Sequence, residues 1–298
     1  MVELLFNSLL LITAVATGLY CLSHEKKTLP YLAGLTVLSF LLINFAPYLS
    51  FLFVIPMALP FFKKLSYENV ITSCMIPAIA IAHFALEYIY FAQPVLIIIV
   101  LLSVTLICAL GIAGIFEDSL IKYLLISNLL QLIFVILDLS VGAIFQKLEI
   151  LGTIQIFNYT FAGALLFITL GSLSSNGLRN RITSLEGRFY GNKANSSFAI
   201  IAAVSLAGLP GLNIFVSEWF LFVASFAISP MITAMGIFAA LILFIMYFKL
   251  AYALLAGEPQ RRLPVHRPLT VIAALLTFFC ILLGVVPQLQ VFILTGGI

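Results

Sequence analysis

The sequence contains very little charge. Only 8% of its 298 residues are Asp, Glu, Lys or Arg, whereas 63% are hydrophobic. A soluble domain carries about 25% charged residues, so this chain has too few to cover a surface in water. The deficit excludes a soluble globular protein and indicates a polytopic membrane protein. The net charge of +3 belongs to the loops and gives no reason to expect a nucleic acid partner.

The sequence also lacks the motifs of common catalytic and cofactor sites. It has no glycine-rich phosphate loop, no nucleophile elbow and no His/Cys cluster. Its four cysteines lie singly in apolar runs, without the spacing of metal ligands, and we interpret them as packing residues. We therefore expect no cofactor and no metal in this chain, and no redox or hydrolytic site. Its function must lie in moving something across the membrane or in holding partners there.

Apolar runs of about 20 residues, the length that spans a bilayer, fill most of the chain. The first run, Leu4 to Leu22, lacks the basic start and cleavage site of a signal peptide, so we expect a retained helix. We predict an all-α, polytopic transmembrane bundle of about eleven helices, with breaks at charge clusters and Pro/Gly pairs. The predicted ranges are 4–22, 31–46, 48–62, 70–90, 94–115, 119–140, 151–173, 197–209, 212–228, 231–256 and 268–294.

One apolar stretch, "SLAGLPGLNIFVSEWFLF" at 205–222, is interrupted in an informative way. Gly208-Leu209-Pro210-Gly211 breaks the helix, and Glu218 follows within the next apolar segment. An unpaired charge in hydrocarbon costs several kcal/mol, so such a residue marks a functional site by default. Broken helices beside a buried charge are typical of transporter interiors. The alternative is that Gly and Pro are simply commoner in membrane helices.

The basic residues do not give the membrane orientation. The clusters at 179–193 and 261–267 are separated by three predicted helices, which places them on opposite faces. The positive-inside rule cannot satisfy both clusters. Either a helix is miscounted or one cluster is an exception.

Four stretches of the C-terminal half carry a family resemblance. They are "ITSLEGRFYGNK" (182–193), "SLAGLPGLNIFVSEW" (205–219), "FIMYFKLAYALLAGEP" (244–259) and "LLGVVPQLQVF" (282–292). In this order and at this spacing they resemble the antiporter-like, proton-translocating subunits of respiratory complex I. That family also includes subunits of Mrp-type sodium/proton antiporters and of membrane-bound hydrogenases. Farther upstream, "EDSLIKYLLISNLLQLIF" (117–134) and "FNYTFAGALLF" (157–167) resemble two earlier helices of the family.

The resemblance implies a membrane subunit of a complex I-like respiratory or hydrogenase-type assembly. It implies a part in proton or sodium translocation, coupled to redox chemistry in partner subunits. The implied partners are antiporter-like and other membrane subunits, a peripheral iron–sulfur arm and the lipid bilayer. The membrane is expected to be a prokaryotic plasma membrane. Because the match fades upstream, we divide the chain into divergent helices at 1–116 and an antiporter-like half at 117–298, and we expect a shortened homologue.

Glu218 is the first candidate for ion translocation. It lies too far from either end of its segment for a short side chain to reach water. Desolvation favours the neutral form of a carboxyl group, which suits a group that loads and releases protons. The alternative is a structural ion pair, and Lys249 on the following helix is the obvious partner. The two interpretations overlap.

Two helices carry polar stripes. On 119–140, Gln131 and Asp138 share a face with Ser127 at about 100° per residue. On 151–173, Gln155 and Asn158 lie on a polar face where nothing titrates near neutral pH. By the resemblance, Asn158 stands where the family has a histidine.

Three further ionisable residues have an interfacial or an ion-translocating interpretation. Lys122 lies one turn from a helix start, where its side chain can extend to the interface. His83 and Glu87 form an i,i+4 pair, and Glu87 lies near a helix end. For Lys122 and Glu87 the interfacial interpretation is favoured, while the ion-translocating one stays open.

A non-conducting scaffold in the same assembly is the rival function, and the neutral stripe at Gln155 and Asn158 supports it. A free-standing secondary transporter would predict an inverted internal repeat, and none is visible in the sequence.

Overall fold

The computed structural model describes residues 2–62, 67–89, 92–145, 148–174, 180–258 and 267–295. Over these residues the chain forms thirteen α-helices and three 3-10 segments, and no β-strand. The prediction of an all-α bundle is confirmed. The helices are α1 (Val2–His24), α2 (Leu29–Phe45), α3 (Val54–Phe62), α4 (Tyr67–Tyr88), α5 (Gln93–Phe116), α6 (Leu120–Ile144), α7 (Leu148–Ser174), α8 (Arg188–Gly191), α9 (Lys193–Leu206), α10 (Asn213–Ile228), α11 (Pro230–Leu255), α12 (Arg267–Val285) and α13 (Pro287–Thr295).

Eight helical segments in the described ranges are long and apolar enough to cross a membrane. They are α1, α2, α4, α5, α6, α7, α11 and α12. Since a bilayer tolerates only segments that satisfy their own backbone hydrogen bonds, these helices identify an integral, multi-pass membrane protein.

Helices α6 and α7 form the centre of the bundle. In α7 the whole of the most apolar stretch is buried, and in α6 83% of it is, against 33% in α5 and in α12. A helix that is buried on all sides can carry polar residues only where other helices satisfy them. The polar stripes predicted on these two helices therefore face protein rather than lipid.

Helices α9 and α10 together make one membrane crossing. Helix α10 ends beside the start of α11, where the hydroxyls of Ser225 and Thr233 lie 2.9 Å apart. Helix α11 then runs back, and the carbonyl of Ala256 just beyond its end accepts a hydrogen bond from Gly187 N, close to the start of α9. The start of α9 and the end of α10 therefore lie at opposite ends of α11. Each half is shorter than the roughly 20 residues of a full span.

This pairing corrects the predicted topology. The prediction counted 197–209 and 212–228 as separate crossings, which placed the basic clusters at 179–193 and 261–267 on opposite faces. With one broken crossing and α11 between them, the segments leading into both clusters lie at the same face. The conflict with the positive-inside rule came from a miscounted helix. Residues 259–266 lie outside the described part of the chain.

Two further predicted helices are also divided. The predicted helix at 268–294 ends at Val285 and restarts at Pro287, because proline lacks the N–H that would continue the hydrogen-bond ladder. The predicted helix at 48–62 begins as a 3-10 segment, Pro47–Phe53, before α3. With the short helix α8, the divided C-terminal helix raises the count from eleven to thirteen. The division of the chain at residue 116 stays a prediction.

Candidate functional site

The break between α9 and α10 is a regular combination of two turns. Gly208 follows the last turn of α9 with a φ of 70°. Its N–H donates to Ser205 O, and Leu209 N donates to Val204 O at 3.1 Å. These two bonds form the Schellman motif that ends many helices at a glycine.

A second turn leads into α10. Leu212 N donates to Leu209 O at 3.1 Å, and Pro210 and Gly211 occupy the two central positions. Gly211 has a φ of 89°, as a type II turn requires at its third residue. The Gly-Leu-Pro-Gly sequence therefore specifies both turns and leaves few backbone groups unpaired inside the membrane.

Two neighbours pack directly on this break. A Cβ added to Gly208 would lie 2.7 Å from Cδ of Glu218 and would overlap Oε2. On the opposite helix, a Cβ added to Gly284 would overlap Gly211 O and Leu212 Cα. At Gly208 the positive φ favours glycine, and an added Cβ would displace the Glu218 carboxylate. At Gly284 glycine is required because the backbone of the break lies against it.

Glu218 is a buried acid that has no basic partner among the residues the structure describes. It is 5% exposed, and the ion pairs of the described residues, His83–Glu87 and Arg181–Asp118, do not include it. A second acid, Asp138 of α6, is 1% exposed and lies within electrostatic range of Glu218. Its Oδ1 has no hydrogen-bond partner among the described residues. Two carboxyl groups at this depth cannot both hold a negative charge at low cost.

A buried hydrogen-bond network begins at the residue next to Glu218. Ser217 Oγ donates to Gln155 Oε1, and Gln155 Nε2 donates to Gln131 Oε1 at 2.9 Å. Gln131 Nε2 donates to the Tyr247 hydroxyl at 3.3 Å, and this hydroxyl lies 2.8 Å from Ser127 Oγ. All five side chains are at most 1% exposed. The network therefore joins α10, α7, α6 and α11 in the interior of the bundle.

The polar face of α6 that contributes to the network runs along the direction in which the helices cross the membrane. Ser127, Gln131 and Asp138 lie on one face of α6, and eleven residues separate the first from the last. At 1.5 Å per residue this is a rise of about 16 Å. The hydrogen-bonded part, from Ser127 to Gln131, rises about 6 Å of this. Asp138 lies about 10 Å farther along the same face, and its Oδ1 has no hydrogen-bond partner among the described residues.

A second polar cluster holds the break in place. Asn213 at the start of α10 donates to Asn158 O and accepts from Ser205 Oγ, at 2.9 and 2.5 Å. Asn158 Nδ2 donates to Gln290 Oε1, and Gln290 Nε2 donates to Leu283 O. The cluster therefore ties both halves of the broken span to α7, α12 and α13, near the middle of α7.

Lys249 is not the partner of Glu218. Its Nζ donates to Ile115 O at 2.8 Å and to Glu117 O at 2.7 Å. These carbonyls belong to the C-terminal end of α5, where a cation interacts favourably with the helix dipole. The predicted ion pair does not form because Lys249 lies on another side of α11 from the network.

The structure does not bring Lys122, His83 or Glu87 to the network. Lys122 is exposed at the start of α6. The Glu87 side chain is 45% exposed at the end of α4. His83 is buried, with its ring 4.9 Å from that of Phe6 in an edge-on contact. The positions of Lys122 and Glu87 agree with interfacial roles.

Sequence reasoning missed two members of these groups. Tyr247 is the junction between Gln131 and Ser127, yet only Lys249 was considered on α11. Two residues correspond to about 200° of helical rotation, so the side of α11 opposite Lys249 was the place to search. Gln290 lies within the predicted apolar helix 268–294 and was not identified as a polar contact residue. Asp138, predicted on the same face as Gln131, is buried.

Three solved structures contain chains with a similar fold. One belongs to respiratory complex I from Thermus thermophilus with bound aureothin, with a TM-score of 0.63 and 16% identity over 75% of this chain. A second belongs to the membrane-bound sulfane sulfur reductase, an archaeal respiratory membrane complex, with a TM-score of 0.68 and 18% identity over 77% of this chain. A third belongs to the Mrp complex from Dietzia sp., with a TM-score of 0.66 and 17% identity over 99% of this chain.

These similarities establish the fold of the chain. Its sequence matches no family model and no curated protein. The matched region spans 50% and 48% of the first two chains and 65% of the third. The resemblance to antiporter-like membrane subunits, drawn from four short stretches, is confirmed at the level of the fold.

Proposed function

We propose that the chain is a membrane subunit of a complex I-like respiratory or hydrogenase-type assembly. In this proposal it takes part in translocating protons or sodium ions, while redox chemistry occurs in partner subunits. The partners are neighbouring antiporter-like and other membrane subunits and a peripheral iron–sulfur arm. The membrane is a prokaryotic plasma membrane, and the chain itself holds no cofactor.

One observation carries this proposal: the carboxylate of Glu218 is buried against a helix break, and no cation of the described residues pairs with it. Such a group is expensive as a permanent charge and inexpensive as a neutral acid. Binding a cation, H⁺ or Na⁺, neutralises it, and releasing the cation restores the charge. A site whose free energy changes so strongly with ion occupancy can drive or gate ion movement.

A polar network lies next to Glu218 and begins at the neighbouring residue, Ser217. Hydroxyl groups at Ser217, Tyr247 and Ser127 can donate and accept hydrogen bonds, and the two glutamines between them hold fixed orientations. Amide groups do not titrate near neutral pH, so the glutamines position neighbouring groups and do not store protons. Asp138 supplies a second acid at the far end of the α6 stripe.

The substitution Glu218→Gln tests the proposal, because it keeps the shape and removes the titratable group. The assembled complex is reconstituted in vesicles, and ion movement coupled to electron transfer is measured together with the amount of assembled complex. We expect assembly to be unchanged and coupled ion movement to be lost. Glu87→Gln is the matched control, since it removes a half-exposed acid at a helix end and should have no effect.

A scaffold function is the second candidate, and the position of Lys249 favours it. Because Lys249 caps the C-terminal end of α5, it is not available as a charged partner for Glu218. Asn158 likewise serves the break through neutral hydrogen bonds. If Glu218→Gln leaves ion movement at the wild-type level, the chain is a scaffold and the translocation proposal is wrong.

A further inference from the structure

Arg188 is a buried cation with no partner in the described part of the chain. It is 8% exposed, and its Nε has no hydrogen-bond partner. Burial lowers the pKa of its guanidinium. The two ion pairs of the described residues do not include it. The neighbouring segments outside the description, 175–179 and 259–266, contain no Asp or Glu. A buried N–H without a partner on a largely buried cation is destabilising, and an anion from outside the chain would satisfy it.

The first turn of α9 provides further unpaired polar groups beside Arg188. Helix α8, which contains Arg188, packs against α9. Ser196 is fully buried, and its hydroxyl, which can donate to an anion, has no hydrogen-bond partner among the described residues. The unpaired Oδ1 of the buried Asn195 is an acceptor and does not contribute to anion binding. Asn192 at the N-cap makes no side-chain capping bond, and Lys193 is exposed at the first position of α9. The N–H groups at a helix start are an anion-binding arrangement.

The backbone around Arg188 is held firmly at one membrane face. Gly187 N donates to Ala256 O, which connects this segment to the end of α11. A Cβ added to Gly257 would lie 3.0 Å from Cβ of Glu186, so the two segments are in close contact. Tyr190, two residues after Arg188, is 51% exposed, and tyrosines are enriched where a membrane meets water. The unpaired groups therefore lie at the end of the membrane-crossing helix α11, where an exposed tyrosine is also found.

We propose that Arg188 and the first turn of α9 bind the phosphate of a phospholipid headgroup. Residues 179–193 contain four basic residues and one acid, and such basic segments attract anionic lipids. A phosphate has enough oxygens for both the guanidinium fork and the helix N–H groups. A carboxylate from a neighbouring subunit has two oxygens and would satisfy Arg188 alone. The lipid site is independent of whether the chain conducts ions.

The test measures lipid binding by the full chain, purified in detergent with the complex in which it resides. Phosphatidylglycerol, phosphatidylcholine or inorganic phosphate is added to delipidated protein, and bound lipid is counted by native mass spectrometry alongside the melting temperature. We expect a phospholipid to bind and to raise the melting temperature of the wild type. In Arg188→Gln, binding should weaken roughly tenfold or more, because a charge-assisted fork is lost. Arg181→Gln is the matched control, since Arg181 is 64% exposed and paired with Asp118.

Three results would overturn the proposal. The first is equal lipid binding by Arg188→Gln and the wild type. The second is an equal stabilisation by inorganic phosphate, which would assign the site to a free anion. The third is an absence of lipid at the wild-type site, which would indicate a carboxylate of a neighbouring subunit. If Arg188→Gln does not fold, Arg188→Lys keeps the charge without the fork and should bind more weakly than the wild type. Equal binding by that variant would also contradict the proposal.

Discussion

The carboxylate of Glu218 rests on Gly208, the left-handed residue that ends α9. This contact joins the helix break to the buried acid. Because Gly208 has no side chain, it leaves room for the Glu218 carboxylate. The buried acid occupies that space. The conformation of the break and the position of the acid are therefore coupled, and each can be tested through the other.

Gly208→Ala should disturb both stability and ion movement. A Cβ at this position meets Glu218, and the positive φ adds about 1–2 kcal/mol of strain for a residue with a side chain. Gly211→Ala is the control, because its φ is also positive but a Cβ there meets nothing within 4 Å. We expect both variants to lose similar stability from strain, measured by thermal unfolding in detergent. Only Gly208→Ala should also impair coupled ion movement; equal effects of the two variants on ion movement would contradict the role of the contact.

Gly284→Ala should destabilise the bundle. Its Cβ would overlap backbone atoms of Gly211 and Leu212, which cannot move aside as a flexible side chain can. Overpacking of this kind costs about 1–3 kcal/mol. Gly34→Ala in α2 is the matched control, since a Cβ there meets nothing within 4 Å. Thermal unfolding should show a loss for Gly284→Ala and none for Gly34→Ala. An unchanged melting temperature for both would mean that α12 does not support the break as described.

Gln131 and Tyr247 should be energetically coupled. A double-mutant cycle with Gln131→Leu and Tyr247→Phe removes the 3.3 Å hydrogen bond between them. Coupling energies between membrane helices average about 0.6 kcal/mol and reach about 1.7 kcal/mol, and the value is expected in this range. The control cycle replaces Tyr247→Phe by Tyr252→Phe, a tyrosine that is 64% exposed on the same helix. Coupling of equal size in the two cycles would show that the network makes no specific contribution.

Lys249→Met should lower stability and leave ion movement intact. The variant removes the two hydrogen bonds to the last carbonyls of α5, and a cation at such a helix end contributes about 0.3–2 kcal/mol. Lys122→Met is the control, because Lys122 is exposed and should tolerate the change. Thermal unfolding and vesicle transport are measured on both. If Lys249→Met loses ion movement while its stability is unchanged, Lys249 takes part in ion translocation and this prediction is wrong.

The helices and the break could be predicted closely from the sequence. Each of the eleven predicted ranges begins or ends within a few residues of an observed helix terminus, because long apolar runs and Pro/Gly breaks act locally. Gly208-Leu209-Pro210-Gly211 specifies a Schellman motif followed by a type II turn through residues that are adjacent in the chain. The sequence could not show that α9 and α10 form a single crossing, because that depends on which neighbouring helix each half packs against.

Only part of the candidate site could be predicted from the sequence. The face shared by Ser127, Gln131 and Asp138 follows from helix geometry alone. The bonds from Gln131 to Gln155 and Tyr247 depend on how three helices are rotated against one another. Lys249 illustrates the limit, because its sequence position allowed a bond to Glu218 and its rotation directs it to α5.

By itself, the sequence determined three things. It determined that the chain is a membrane protein, at which residues its helices end, and at which residues one helix must break. These properties follow from hydropathy and from the backbone preferences of glycine and proline, which act within a few residues. Only the tertiary structure decided that Glu218 lies on Gly208, that Asp138 faces the interior and that Arg188 is buried with no counter-charge in the described part of the chain. Those relationships connect residues far apart in the chain, and helix packing alone sets the distances between them.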